Sequence, residues 1–126
     1  MITPTEHQEQ AALIRWANLQ SCTIPELSLL FAVPNGANKS PSARKSFKAE
    51  GLKSGVPDLI LPVARGEYHH LYIEMKRKSP KGYPSKDQKG WLRKLTEQGN
   101  RAVVCWGFEE AKEEILNYLQ LSLKYS

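Results

Sequence analysis

Gly55-Val56-Pro57-Asp58-Leu59-Ile60-Leu61-Pro62-Val63, followed after a short turn by Leu71-Tyr72-Ile73-Glu74-Met75-Lys76, is the stretch on which the reading of this chain turns. Asp58 to Val63 is an apolar run of strand length, and Arg65-Gly66-Glu67 supplies the turn into the next strand. A link this short makes the two strands an antiparallel hairpin. Alternation in the second strand puts Tyr72, Glu74 and Lys76 on one face and Leu71, Ile73 and Met75 on the other. Asp58 heads the neighbouring strand, so the pattern reads P-D…E-x-K. Two carboxylates beside a lysine suit metal-dependent phosphodiester hydrolysis: Asp58 and Glu74 hold a hard divalent cation through oxygen, and Lys76 stands beside the attacking water. A plain Glu74–Lys76 or Asp58–Lys76 salt bridge is the competing reading. Burial separates the two, because a buried carboxylate is costly without a charged partner.

Helices and further strands extend outward from this hairpin. Thr3-Pro4-Thr5-Glu6 reads as a helix start, with Thr3 as N-cap and Glu6 closing a capping box, and the helix runs to about Gln20 with Leu13, Ile14 and Ala17 as its apolar stripe. Leu27 to Val33 is compatible with a strand ending at Pro34-Asn35-Gly36, and Ser40-Pro41 opens a second helix that stops at Gly51. After the hairpin, Ser85-x-x-Gln88 is another capping box and starts a helix to Gln98, with Trp91, Leu92 and Leu95 buried and Gly99 at its end. Ala102 to Trp106 is a strand with Val103, Val104 and Cys105 inside, and Glu109 to about Leu123 is a last amphipathic helix. The order α-β-α-β-β-α-β-α predicts an α/β fold, a small mixed sheet with helices on both faces. Long crossovers favour parallel pairing of the strands they join. The three tryptophans, Trp16, Trp91 and Trp106, read as core.

Glu6 and Gln10 fall at the centre of the first helix's apolar stripe and point toward the sheet, so Glu6 is a candidate third acid beside Asp58 and Glu74. Its capping-box role explains it equally well without a metal, and Glu9, about a quarter-turn away, is the alternative ligand. Gln88 carries the same ambiguity between capping and contact with a phosphate or water. Tyr83, His69 and His70 are available for nucleic-acid contact, but no spacing singles them out.

The chain's 126 residues predict one domain, with 40% hydrophobic and 25% charged residues. Eighteen Lys+Arg against thirteen Asp+Glu give a net charge of +5, which favours polyanionic partners, although many basic domains are merely soluble. The excess is clustered: Lys39, Arg44, Lys45, Lys48 and Lys53 before the first half of the acidic centre, and Arg77, Lys78, Lys81, Lys86 and Lys89 after the second. A solvated charged face is the simpler account of both clusters. Cys22 and Cys105 are far apart and form no CxxC, which fits a reducing compartment, and no secretory leader or membrane-spanning apolar run is seen. His7, His69 and His70 do not combine with the cysteines at zinc-site spacing.

Glu6-x-x-x-Gln10, Val33-Pro34-Asn35-Gly36, Gly55-Val56-Pro57-Asp58-Leu59, Glu74-Met75-Lys76 and Gln88 occur in the order found in PD-(D/E)xK nucleases. More narrowly, the chain resembles the VRR-NUC family of virus-type replication-repair nucleases. The resemblance implies a restriction-endonuclease-like core, dependence on Mg²⁺ or Mn²⁺, and activity on branched DNA. It also implies a stand-alone phage or prophage protein working in the bacterial cytoplasm. On this reading Asp58, Glu74, the Ile73 or Met75 backbone carbonyl and Glu6 hold the metal. Lys76, as an ammonium, orients the nucleophile and stabilises transition-state charge. Lys39, Arg44, Lys53, Arg77, Lys78 and Lys81 meet the DNA phosphates. A domain of this size carries no separate sequence-reading module, so recognition falls to phosphates and DNA shape. A four-way junction needs two matched cuts, which fits a homodimer. A non-catalytic DNA-binding module and a partner-dependent subunit of a larger machine are the rival classes.

Overall fold

A computed structural model describes residues 3–34 and 48–123. The elements are α1 (Glu6–Gln20), a 3-10 helix (Pro25–Leu29), β1 (Phe31–Ala32), β2 (Leu59–Leu61), β3 (Leu71–Lys76), α2 (Lys86–Glu97), β4 (Arg101–Trp106) and α3 (Phe108–Leu119). The four strands form one mixed sheet in the order β1-β2-β3-β4. The Asp58–Lys76 hairpin is antiparallel, as the turn predicts, and Arg65 and Tyr68 exchange backbone hydrogen bonds of 3.2 and 2.9 Å around Gly66-Glu67. The crossover through α2 makes β3 and β4 parallel, with Glu74 beside Val104 and Lys76 beside Trp106.

Helices lie on both faces, the α/β arrangement that the element order predicts. Leu71, Ile73 and Met75 face a core completed by Leu13 and Ala17 of α1, Cys105 of β4, and Ala111, Ile115 and Tyr118 of α3. The Tyr118 hydroxyl donates to the Val63 carbonyl at 2.5 Å, tying α3 to the end of the hairpin. Arg65, buried at 8% exposure, is paired with Glu26 of the 3-10 helix, which satisfies a charge the core could not otherwise hold. On the other side α2 packs on β4, and its Trp91, Leu92 and Leu95 are only half-buried. They lie over an edge strand, so one flank of the stripe stays in water.

Several local expectations are corrected. The N-cap of α1 is Thr5, not Thr3: its hydroxyl accepts from Gln8 N–H at 3.1 Å, and the Gln8 side chain accepts from Thr5 N–H at 2.9 Å. Thr5-x-x-Gln8 is as good a capping box as the one two residues earlier, and Pro4 then precedes the cap. Leu27 to Val33 is mostly not strand. Pro25 starts a 3-10 turn that buries Leu27, and two residues remain for β1. β1 pairs antiparallel with β2 rather than parallel, because a connection this long permits either direction. Trp16 is half-buried and packs against the core, as does Val103, whereas Trp91 and Trp106 are half-buried outside it, and Val104 is half-buried. The last helix starts at Phe108 and ends at Leu119, after which Gly66 N–H donates to Ser122 O at 2.7 Å. Asn35, Gly36 and most of the second predicted helix lie outside the described residues, while its predicted stop, Gly51, has a positive φ of +96°.

Gly55 positions the strand that follows it. It has φ +87°, and a Cβ there would come within 2.9 Å of Asp87 Cβ and 3.1 Å of the Asp87 carbonyl carbon at the start of α2. Only glycine lets the Gly55-Val56-Pro57-Asp58 segment lie this close to that helix. Gly55→Ala should therefore lower stability by about 2–4 kcal/mol in denaturant unfolding, combining backbone strain with the clash. Gly51→Ala, at a similar φ with nothing within 4 Å, should cost only the strain, about 1 kcal/mol. Equal losses at the two positions would show that the approach to α2 is not what fixes Gly55.

Candidate active site

β3 is the inner strand next to β4 and β2, and it carries the acidic centre. Extending the β2–β3 register beyond Leu59↔Ile73 puts Asp58 opposite Glu74 and Pro57 opposite Met75. The β2–β3 ladder ends at Leu59↔Ile73, and beyond it the Met75 N–H donates to the Asp58 carboxylate at 2.7 Å. Opposed residues share a face about 5 Å apart. The strand end therefore brings the Asp58 and Glu74 side chains together and fixes Asp58 through a backbone donor.

The third acid comes from α1. With Thr5 and Gln8 forming the cap, Glu6 sits at the first helical position free of capping work. Its carboxylate lies near the Arg77 backbone N–H just past β3, which pulls its pKa down against burial. Oxygens of Glu6, Asp58 and Glu74 lie within 4.8 Å of one another. Glu9, the alternative, points elsewhere: its carboxylate accepts from Phe108 N–H at 3.0 Å and caps the N-terminus of α3.

Glu74 is 1% exposed, and among the described residues its Oε2 has no hydrogen-bond partner. The Lys76 ammonium lies 3.5 Å from that oxygen, with its side chain 12% exposed. Among the described residues, three carboxylates against one ammonium leave an excess of two negative charges in a partly buried cluster of oxygens. That donor set suits a hard divalent cation, and the orphaned Oε2 is an atom such an ion would satisfy. Without one, burial first, then a shared proton and repulsion from Asp58, push Glu74 up to about 9 against the opposing pull of Lys76. Glu6 is also raised, chiefly by burial.

The VRR-NUC domain family matches residues 4–109, most of the chain and all of this centre. The chain belongs to the VRR-NUC family. A solved structure described as a VRR_NUC domain protein is similar to it at 31% identity and a TM-score of 0.81, covering 98% of this chain and 94% of that one. Among curated proteins, none matches. The family is one of nucleases, and nuclease domains of this kind are typically metal-dependent.

The other predicted residues of this VRR-NUC domain fall into distinct places. Met75 turns its side chain into the core at 0% exposure, so only its backbone borders the centre. Gln88 is half-buried and closes the α2 cap, accepting from Ser85 N–H at 2.8 Å. Lys53, Arg77, Lys78 and Lys81 are exposed, while Lys39 and Arg44 lie outside the described residues. Trp106 is the neighbour that sequence reasoning misplaced. Its position beside Lys76 follows from strand register, which no local pattern in the sequence reveals.

The raised acid has a consequence for stability. Between about 4.5, where the unfolded chain releases the Glu74 proton, and about 9, the folded chain holds more protons. Stability of the metal-free protein should fall as pH rises through that window, by up to about 1.4 kcal/mol per pH unit for one proton. Thermal unfolding in EDTA should show this fall, and Glu74→Gln should flatten it. Mg²⁺ should raise the wild-type Tm more at pH 8 than at pH 6, because the ion needs the ionised acid. A wild-type profile parallel to that of Glu74→Gln would refute the assignment.

Proposed function

We propose that this protein is a Mg²⁺- or Mn²⁺-dependent endonuclease that cuts branched DNA, with four-way junctions as its principal substrate and a homodimer as its working form. The observation that carries the reading is the convergence of Glu6, Asp58 and Glu74 around a buried carboxylate oxygen that has no hydrogen-bond partner among the described residues, with the Lys76 ammonium 3.5 Å from it. Glu6, Asp58, Glu74 and the Met75 backbone carbonyl hold the ion. When bound, such an ion polarises a phosphate oxygen and acidifies a coordinated water.

The protein's own groups then do the positioning. Asp58, anchored by Met75 N–H, and Glu74, held in the sheet, fix the donor oxygens before substrate arrives. Lys76 points its ammonium into the same face, orients the attacking water and meets the charge that builds on the phosphate oxygens. Gln88, at the α2 N-terminus, lies in the segment packed against Gly55 and contributes a polar contact to phosphate or water. Exposed Lys53, Arg77, Lys78 and Lys81 engage the backbone without reading bases, joined by Lys39 and Arg44. Two copies related by a two-fold axis match the approximate symmetry of a four-way junction, whose resolution needs two cuts. No helix among the described residues is long and apolar enough to cross a membrane, and we assign the protein to phage or prophage DNA processing in the host cytoplasm.

Labelled four-way junction, flap and linear duplex DNA incubated with Mn²⁺ should give paired symmetric cuts in the junction that EDTA abolishes. Asp58→Ala and Lys76→Met should slow cleavage by about 10²–10³-fold or more while leaving junction binding largely intact. Wild-type rates from Asp58→Ala would sink the assignment. The two helix-one acids should separate cleanly. Glu6→Gln should lower cleavage, whereas Glu9→Gln should act through stability, at about 1 kcal/mol for a lost helix cap.

A further inference from the structure

Beside the acidic centre lies a second feature that metal chemistry does not use. Trp106 ends β4 next to Lys76 on β3, and adjacent strands are only about 4.8 Å apart. Paired residues share a face, so the indole stands on the same side of the sheet as Lys76. Its orientation is fixed: Nε1–H donates to the Gly82 carbonyl at 2.6 Å. The loop that supplies this carbonyl also brings Lys81 over the ring, with its Nζ 4.5 Å from the centroid, and sets Tyr83 edge-on at 6.5 Å. Tyr83 is 69% exposed. Trp106 and Phe108 also line a recess of about 270 Å³ whose wall includes Pro4 and Lys78 and is mostly apolar.

Resting on the nuclease reading above, we infer that the recess at Trp106 and Phe108 receives one unpaired nucleobase of the strand being cut. A pinned indole next to the nuclease lysine lies within one nucleotide's reach of a phosphate at that lysine. Aromatic faces take any base, and stacking is sequence-tolerant. The recess, at about 270 Å³, has room for one base. Two carboxylates, Glu9 and Glu109, line the recess against the single ammonium of Lys78, which disfavours a phosphate inside, so the uncharged base enters while the exposed Lys78 and Lys81 take the flanking phosphates. The protein thereby selects DNA in which a base next to the scissile phosphate is already free, as at a branch point or flap. Fully paired duplex must first unstack one.

The test is an abasic walk. Single abasic sites are placed at successive nucleotides around the branch point of a junction and a flap, and wild-type binding is measured in Ca²⁺. One position should weaken binding by roughly ten-fold, and 2-aminopurine at that position should lose fluorescence when the protein binds. In Trp106→Ala the intact and abasic DNAs should bind alike, and in Phe108→Leu the difference should shrink. Wild-type binding indifferent to every abasic position, or an unchanged penalty in Trp106→Ala, would overturn the inference. The wild-type walk decides by itself should Trp106→Ala fail to fold. Cleavage without any positional effect removes this inference and keeps the nuclease reading; a positional effect without cleavage does the reverse.

Discussion

The structure depends on one carboxylate in an expensive place. Glu74 sits in a strand flanked on both sides, 1% exposed, and its neighbours Asp58 and Glu6 carry the same charge. Among the described residues Lys76 opposes them and does not outweigh burial and Asp58, since the acid stays raised to about 9. Replacing such an acid with an apolar residue would ordinarily stabilise a small sheet. Its presence makes sense where something else completes the charge, and a divalent cation matches the excess. Stability and chemistry are therefore coupled at this site: the ion that the centre suits is also the partner its buried acid lacks.

The surrounding fold holds these oxygens by backbone means. Past the end of the ladder, the Met75 N–H donates to the Asp58 carboxylate and holds it in place. Gly55 lets the preceding segment lie against the start of α2, and so sets where Asp58 enters the sheet. Glu6 and Glu9 show how one helix serves two tasks. Glu9 bonds to the first N–H of α3 and ties the two helices together over the end of the sheet. Three residues earlier, close to one turn away, Glu6 is brought down onto the strand ends. Glu9 is thus a positioning residue for Glu6, acting through the α1–α3 contact and not through the metal.

Much of this was legible in the sequence. Alternation in Leu71–Lys76 placed Glu74 and Lys76 on one face, the Gly66-Glu67 turn gave the antiparallel hairpin, and Ser85-x-x-Gln88 marked the start of α2. These are local signals with a fixed period or spacing. What escaped depends on tertiary context. Thr3 and Thr5 each offer a capping box, and local pattern does not rank them. β1 shrank to two residues because Pro25 and the buried Leu27 favoured a 3-10 turn over extension. The direction of β1 against β2 is not encoded in the length of what joins them. The choice between Glu6 and Glu9 required the position of α3, which lies about a hundred residues along the chain.

Strand register links chemistry to recognition. Because β3 and β4 run parallel in step, Lys76 and Trp106 leave the sheet side by side. The hydrogen-bond ladder that fixes the lysine therefore also fixes the indole. A flexible loop could bring an aromatic ring near the centre, but its distance from the scissile phosphate would vary by more than a nucleotide. Here the spacing is set by the sheet, and the Gly82 carbonyl removes the remaining freedom of the ring. On the reading proposed above, sensing whether a base is free at a fixed distance from the scissile bond needs no contact to a base edge, only a rigid aromatic face one strand away from Lys76.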